Sequence, residues 1–190
     1  MLGGLARRVG YVETVKKDGR PVLVVDSGDL LFDGRVKEDS KKDFAKADFI
    51  SRAYRHMGAA AVNVGDMDLI CGLDFLRKAA AQGMPFISAN LLDRSSQSPV
   101  FPASVIREVA GVRVAFFGLL STLPFAGAAG LGDRVLVKDP PEAARETLQK
   151  LQGKADLFIL LSDLGLQRDR DLAMAVPGID FIWGGHEGRY

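Results

Sequence analysis

Apolar positions along this chain switch repeatedly between two spacings, short β-branched runs and stretches with helical periodicity. Leu5 to Lys17 has the helical spacing and is stopped by Asp18-Gly19. Pro21-Val22-Leu23-Val24-Val25 is an unbroken apolar run, the pattern of a strand covered on both faces. From Asp43 to Met57 a helix is predicted: Ile50, Ala53, Tyr54 and Met57 share one face, and Gly58 suits its C-terminus. Ala60 to Val64 reads as a strand, Leu73 to Ala81 as a helix and Phe86-Ile87-Ser88 as a short strand. Val105–Val109 and Val112–Leu119 flank Gly111 and predict a β-hairpin. Ser121 to Gly132, rich in Gly, Ala and Pro, reads as loop, and Val135-Leu136-Val137 as a strand. Pro140-Pro141 opens a helix where proline is favourable, with Ala144, Thr147, Leu148 and Leu151 as its buried stripe. Leu157 to Leu161 is then a strand, Arg168 to Val176 a helix and Ile179 to Trp183 a last strand.

Strands followed by helices predict an α/β fold whose sheet is mostly parallel, made mixed by the hairpin. No repeat or low-complexity tract interrupts the pattern, and 190 residues with 47% hydrophobic content suit one domain with one core. Lys and Arg total 25 against 24 Asp and Glu, a net charge of +1 that argues against a nucleic-acid binder. The densest basic stretch, Lys37 to Lys46, also holds Glu38, Asp39 and Asp43 and reads as a solvated helix start. The single cysteine, Cys71, excludes an intrachain disulfide and a cysteine-rich metal site. No apolar run reaches the roughly 20 residues of a membrane span. Met1 to Arg8 lacks the apolar core of a signal peptide, so no export signal is expected in the chain as written.

In parallel α/β folds functional groups gather beyond the carboxyl ends of strands. Four such ends stand out: Asp26-Ser27-Gly28-Asp29, Asn63-Val64-Gly65-Asp66-Met67-Asp68, Leu161-Ser162-Asp163-Leu164-Gly165 and Trp183-Gly184-Gly185-His186-Glu187-Gly188. If the sheets bring them together, Asp29, Asp66, Asp163 and His186 face one another. Carboxylates that close repel, so they need a cation, a basic partner or a retained proton. Oxygen ligands with one imidazole suit Mg²⁺, Mn²⁺, Fe²⁺ or Zn²⁺. The plainer alternative is that each Asp caps a helix or closes a turn. His56, beside Arg52 and Arg55, is expected on a solvent face.

These motifs, in this order and spacing, resemble the calcineurin-like metallophosphoesterases, specifically the N-terminal catalytic domain of their 5′-nucleotidase branch. The likeness runs over nearly the whole chain. Gly3-Gly4-Leu5-Ala6-Arg7-Arg8 is similar to the first helix of that branch, and Asp26-Ser27-Gly28-Asp29 to its Gly-Asp motif. Val64-Gly65-Asp66-Met67-Asp68 stands where the branch has Gly-Asn-His-Glu, and Ser88-Ala89-Asn90-Leu91 resembles the segment after it. Ser162-Asp163-Leu164-Gly165 resembles Ser-His-Leu-Gly, and Gly184-Gly185-His186-Glu187-Gly188 resembles Gly-Gly-His-Ser-His. The resemblance implies a four-layer α/β/β/α sandwich with mixed sheets, here lacking the first strand.

The resemblance also implies specific losses. The family's opening Asp-x-His precedes the point where this sequence starts, and Gly188 replaces a second histidine, so the chain is expected to be cut at both ends and to lack most of one metal site. The other site keeps a ligand-capable residue at each position: Asp29, Asp66 for Asn, Asp163 for His, and His186. The positions of the catalytic His and of its Asp partner are Met67 and Ile70, which cannot transfer a proton. One divalent cation is therefore expected, Mn²⁺, Mg²⁺ or Ca²⁺ ahead of Zn²⁺ or Fe²⁺, with a small phosphorylated ligand and Asn90 as a candidate contact to it. Three readings stay open: a divergent hydrolase, a non-catalytic domain binding one metal and a phosphate-bearing ligand, or a remnant whose aspartates are caps and turns. The resemblance implies a periplasmic or cell-envelope location and leaves oligomeric state undetermined.

Overall fold

The computed structural model describes residues 4–32, 40–121 and 131–186, apart from the side chain of Cys71. Along the chain run α1 (Leu5–Lys17), β1 (Val24–Asp26), α2 (Lys41–His56), β2 (Ala59–Asn63), a 3₁₀ turn (Met67–Cys71), α3 (Leu73–Ala81), β3 (Phe86–Ile87) and β4 (Leu91–Asp93). They are followed by β5 (Ser104–Val109), β6 (Val112–Leu120), α4 (Leu131–Arg134), β7 (Val135–Val137), α5 (Pro140–Leu151), β8 (Leu157–Asp163), α6 (Leu166–Ala175) and β9 (Phe181–Gly184).

Local chemistry explains most boundaries. α2 starts earlier than its apolar stripe because Ser40 caps it, its hydroxyl accepting from Asp43 N–H. α5 starts at Pro140 because Asp139 caps it and proline has no N–H to leave unpaired there. The β5–β6 hairpin turns on Ala110 and Gly111, both with positive φ (50° and 79°), the backbone that lets a two-residue turn follow strand twist. β1 is shorter than its apolar run: pairing begins only at Val24, opposite Ala59, and the register slips between Val24 and Val25. Its residues are half-buried rather than covered on both faces, since β1 is an outer strand of its sheet.

β1, β2 and β3 form a parallel sheet in that order. β5, β6, β8 and β9 form a mixed one, the hairpin antiparallel and the β6–β8 and β8–β9 pairs parallel. β4 and β7 make a small antiparallel pair. Alternation along the strands sets the layers. Val114, Phe116, Ile159 and Leu161 point inward, against Ala61 and Ile87 of the other sheet. Their neighbours Phe117, Leu119 and Leu160 point outward, onto Ala143 and Ala144 of α5 and Leu172 of α6. On the far side Val62 packs with Val12 of α1, Ala47 and Tyr54 of α2, and Leu73 and Leu76 of α3. The result is helices, sheet, sheet, helices, the expected four-layer sandwich. Each large side chain so covered contributes about 1.5–3 kcal/mol.

Part of the 121–132 loop and of the Lys37–Lys46 stretch lies outside the described residues, as do Glu187 and Gly188. No helix among the described residues is long and apolar enough to cross a membrane.

Candidate metal centre

Asp29 follows β1, Asp66 follows β2, Asp163 ends β8 and His186 follows β9. All four strands run parallel within their sheets, so their carboxyl ends deliver the four residues to one place, two from each sheet. One ligand atom from each lies within 4.8 Å of the other three. His186 Nδ1 is 3.2 Å from Asp163 Oδ1, 3.6 Å from Asp66 Oδ1 and 3.7 Å from Asp29 Oδ2. Donors around a single ion with bonds of about 2.1 Å stand roughly 3–4 Å apart, so the cluster matches a cation's coordination shell in scale.

The aspartates are not helix caps. α6 has Gly165 at its N-cap, and Asp66 precedes the 3₁₀ turn without a side-chain cap bond. Their carboxylates reach across the fold instead. Asp29 Oδ1 accepts from Met67 N–H at 2.9 Å, and Asp163 Oδ2 accepts from Asp66 N–H at 2.9 Å. Asp66 Oδ1 is buried with no hydrogen-bond partner, which an aspartate tolerates when a cation supplies the missing contact. Asp29 sits at φ +55°, the left-handed region, where a short polar side chain is among the few that fit. Gly65 must be glycine, since a Cβ there would stand 2.2 Å from Asp29 Oδ1. The centre opens onto a cavity of about 840 Å³ bordered by Asp26, Asp29, Gly185 and His186, with Arg8 and Arg170 on its walls.

Electrostatics follow from packing three carboxyls together. Burial pushes Asp163 up to about 9, reinforced by the charges of Asp29 and Asp66 and opposed by the bond from Asp66 N–H. Burial likewise lifts Asp29 to about 6, opposed by Met67 N–H and helped by the charge of Asp66. A carboxyl whose folded pKa is raised contributes stability that is complete below its unfolded value of about 4 and is lost as pH climbs through the folded value. The chain in chelator is therefore expected to melt at a higher temperature at about pH 5 than at about pH 9, across the window set by Asp29 and Asp163. Saturating Mn²⁺ should flatten or reverse that trend, because ligands must shed their protons to bind. Thermal melts at the two pH values, with and without metal, check both statements.

Other residues fall elsewhere. Asn90 is fully buried, and its amide is engaged by backbone: Nδ2 donates to Leu120 and Lys138 carbonyls, and Leu120 N–H donates to Oδ1. It clamps β6 to the segment after β7, a structural role that engages both ends of the amide. Ile70 is buried and Met67 half-buried. His56 is on the surface, 3.0 Å from Glu13. Asp26, the other acid of the first motif, turns away from the cluster and accepts from Tyr54 Oη at 2.5 Å, with Arg8 3.7 Å away. Asn63 was not anticipated. It donates to Ser27 O and Leu119 O, both at 2.9 Å, and so ties the loop after β1 to β6. Asp68 stands on the acid of the Gly-Asn-His-Glu pattern, but its hydrogen bond to Leu31 was not anticipated, because that partner lies 37 residues away.

No family model matches the chain. Among curated proteins it is 30% identical over 188 residues to the uncharacterized metallophosphoesterase YunD of Bacillus subtilis, covering 94% of this chain and 39% of that one. It is 25% identical over 207 residues to a 2′,3′-cyclic-nucleotide 2′-phosphodiesterase/3′-nucleotidase of Salmonella typhimurium, covering 96% and 32%. Among solved structures, a 5′-nucleotidase precursor from Thermus thermophilus superposes with a TM-score of 0.78 at 27% identity, over 97% of this chain and 36% of that one. This chain belongs to the calcineurin-like metallophosphoesterases, in their 5′-nucleotidase branch. It spans about a third of the length of the curated relatives it matches. Metallophosphoesterases use divalent metal ions, and the carboxylate–histidine cluster could hold such an ion.

Proposed function

We propose that Asp29, Asp66, Asp163 and His186 hold one divalent cation, and that residues 1–190 act as a single domain binding a small phosphorylated ligand beside it, with phosphomonoester hydrolysis lost or greatly reduced. The observation that carries the reading is the buried Oδ1 of Asp66, which accepts no hydrogen bond and is set among three other ligand-capable side chains. Three carboxylates and one imidazole form a hard donor set, which favours Mn²⁺, Mg²⁺ or Ca²⁺ over Zn²⁺. When bound, the cation would offset the mutual repulsion of the carboxylates and attract phosphate oxygens. Arg8 and Arg170, on the same cavity, add positive charge for an anionic ligand.

Loss of hydrolysis rests on Met67 and Ile70. Neither can deliver a proton to a leaving alkoxide, and the described residues around the centre offer ligands for one ion rather than the two that clamp an in-line displacement. The relatives' names include nucleotidases and a nucleotide phosphodiesterase, which supports a nucleotide-like phosphorylated ligand. A periplasmic or envelope location belongs to the same reading.

Calorimetric titration with Mn²⁺ tests it. One ion per chain is expected, and Asp66→Ala should weaken binding at least about tenfold by removing a direct ligand. Two ions at comparable affinity, or an unchanged titration in Asp66→Ala, would overturn the assignment.

A further inference from the structure

Asp68 is fully buried, and no Lys, Arg or His among the described residues pairs with it. Its two oxygens are taken by backbone from two different loops. Leu31 N–H donates to Oδ1 at 2.8 Å, and Gly65 N–H donates to Oδ2 at 3.1 Å. Gly65 is three residues away, a local turn contact, but Leu31 lies 37 residues back along the chain. Capping the 3₁₀ turn would need only the bond from Gly65 N–H. The bond from Leu31 N–H crosses to the loop that carries Asp29. In return, Asp29 Oδ1 accepts from Met67 N–H, beside Asp68. Hydrogen bonds thus run both ways between the loop after β1 and the loop after β2, each loop lending a carboxylate to the other's backbone.

We propose that Asp68 is a positioning residue for the metal centre: by bracing Leu31 against Gly65 it holds Asp29 and Asp66 at ligand spacing before any cation arrives. The inference rests on the metal-binding reading above and on hydrogen-bond geometry alone. It requires a carboxylate specifically. Asparagine offers one acceptor oxygen and would turn an NH₂ toward the other backbone N–H, donor against donor. The loop holding Leu31 or the loop holding Gly65 would then be released, and the Asp29–Asp66 spacing would be free to relax under the repulsion of the two acids. Partners that orient metal ligands typically account for about 10–100-fold in affinity.

The test uses the 190-residue chain, with Mn²⁺ as probe. Asp68→Asn should weaken Mn²⁺ binding by about 10–100-fold and broaden the paramagnetic resonance spectrum of the bound ion, reporting a less uniform site. Asp68→Glu, which keeps two acceptor oxygens, should recover most of the lost affinity, a rescue that a purely space-filling role would not produce. Asp68→Asn binding Mn²⁺ as tightly as the parent chain, with the same spectrum, would overturn the proposal. If Asp68→Asn does not fold, amide exchange in the unaltered chain decides: Leu31 and Gly65 N–H should be protected with and without Mn²⁺. Rapid exchange of both amides in chelator, while β6 amides stay protected, would overturn the proposal as well. Failure of the parent chain to bind Mn²⁺ would sink the metal reading instead, and the protection of the two amides would still report on the brace.

Discussion

The 190-residue chain is expected to release phosphate from AMP at less than about 0.1 s⁻¹ in millimolar Mn²⁺, at least a hundredfold below the roughly 10 s⁻¹ of an ordinary enzyme. General acid–base catalysis typically supplies about 10²–10⁴-fold, and the two positions that would supply it hold Met67 and Ile70. Ile70 is buried and its side chain carries no polar atom that any rotamer could bring to the centre. Met67→His alone should not restore turnover: it returns a proton donor, while the proposed centre would still hold a single ion. A phosphate-release assay over AMP and a 2′,3′-cyclic nucleotide decides the matter. Metal-dependent turnover near 10 s⁻¹ in the unaltered chain, abolished by Asp163→Ala, would refute the reading of a disabled site.

The second large effect is on stability. Saturating Mn²⁺, at about a hundred times its dissociation constant, adds about 2.7 kcal/mol by mass action. For a domain of 150–250 residues each kcal/mol moves the melting temperature by about 2–4 °C, so a rise of roughly 5–10 °C is expected. Asp163 is the residue on which that rise should depend most. It is 1% exposed, touches both His186 and Asp66 N–H, and is the carboxyl most strongly held in its protonated form without metal. Asp163→Ala should lose the Mn²⁺-dependent rise. In chelator its stability should change less than removal of a buried ion-paired acid normally would, because the substitution also relieves repulsion with Asp29 and Asp66. An equal rise in Asp163→Ala would mean that the ion binds elsewhere.

How much of this was legible in the sequence depends on the range of the interaction involved. α3 and β7 carry their own signals, an apolar face and a β-branched run, and they fall where the pattern puts them. Ser40 and Asp139 sit just before helical patterns and act as caps, a local event. Asp29, Asp66, Asp163 and His186 were legible for a different reason: parallel strands align their carboxyl ends, so residues far apart in sequence converge by topology alone. β4 was missed because Leu91-Leu92-Asp93 holds no β-branched residue, unlike β7, and its partner β7 is more than forty residues later. The bonds that occupy the Asn90 amide come from Leu120 and Lys138, which no local pattern announces. The same holds for Asp68 and Asn63, since a buried polar side chain is explained only by the backbone groups that surround it in three dimensions.

The centre draws Asp29 and Asp66 from the first seventy residues of the chain and Asp163 and His186 from its last thirty. An ion held there closes a loop of well over a hundred residues. Contacts of such sequence separation cost the most chain entropy and mature late, after local helices and the β5–β6 hairpin have formed. Interactions made after the rate-limiting barrier leave the folding rate nearly untouched and act on the escape from the native basin. The cation's contribution is thus chiefly to lifetime: it works as a latch on a finished structure, lengthening the interval between spontaneous openings without hastening assembly.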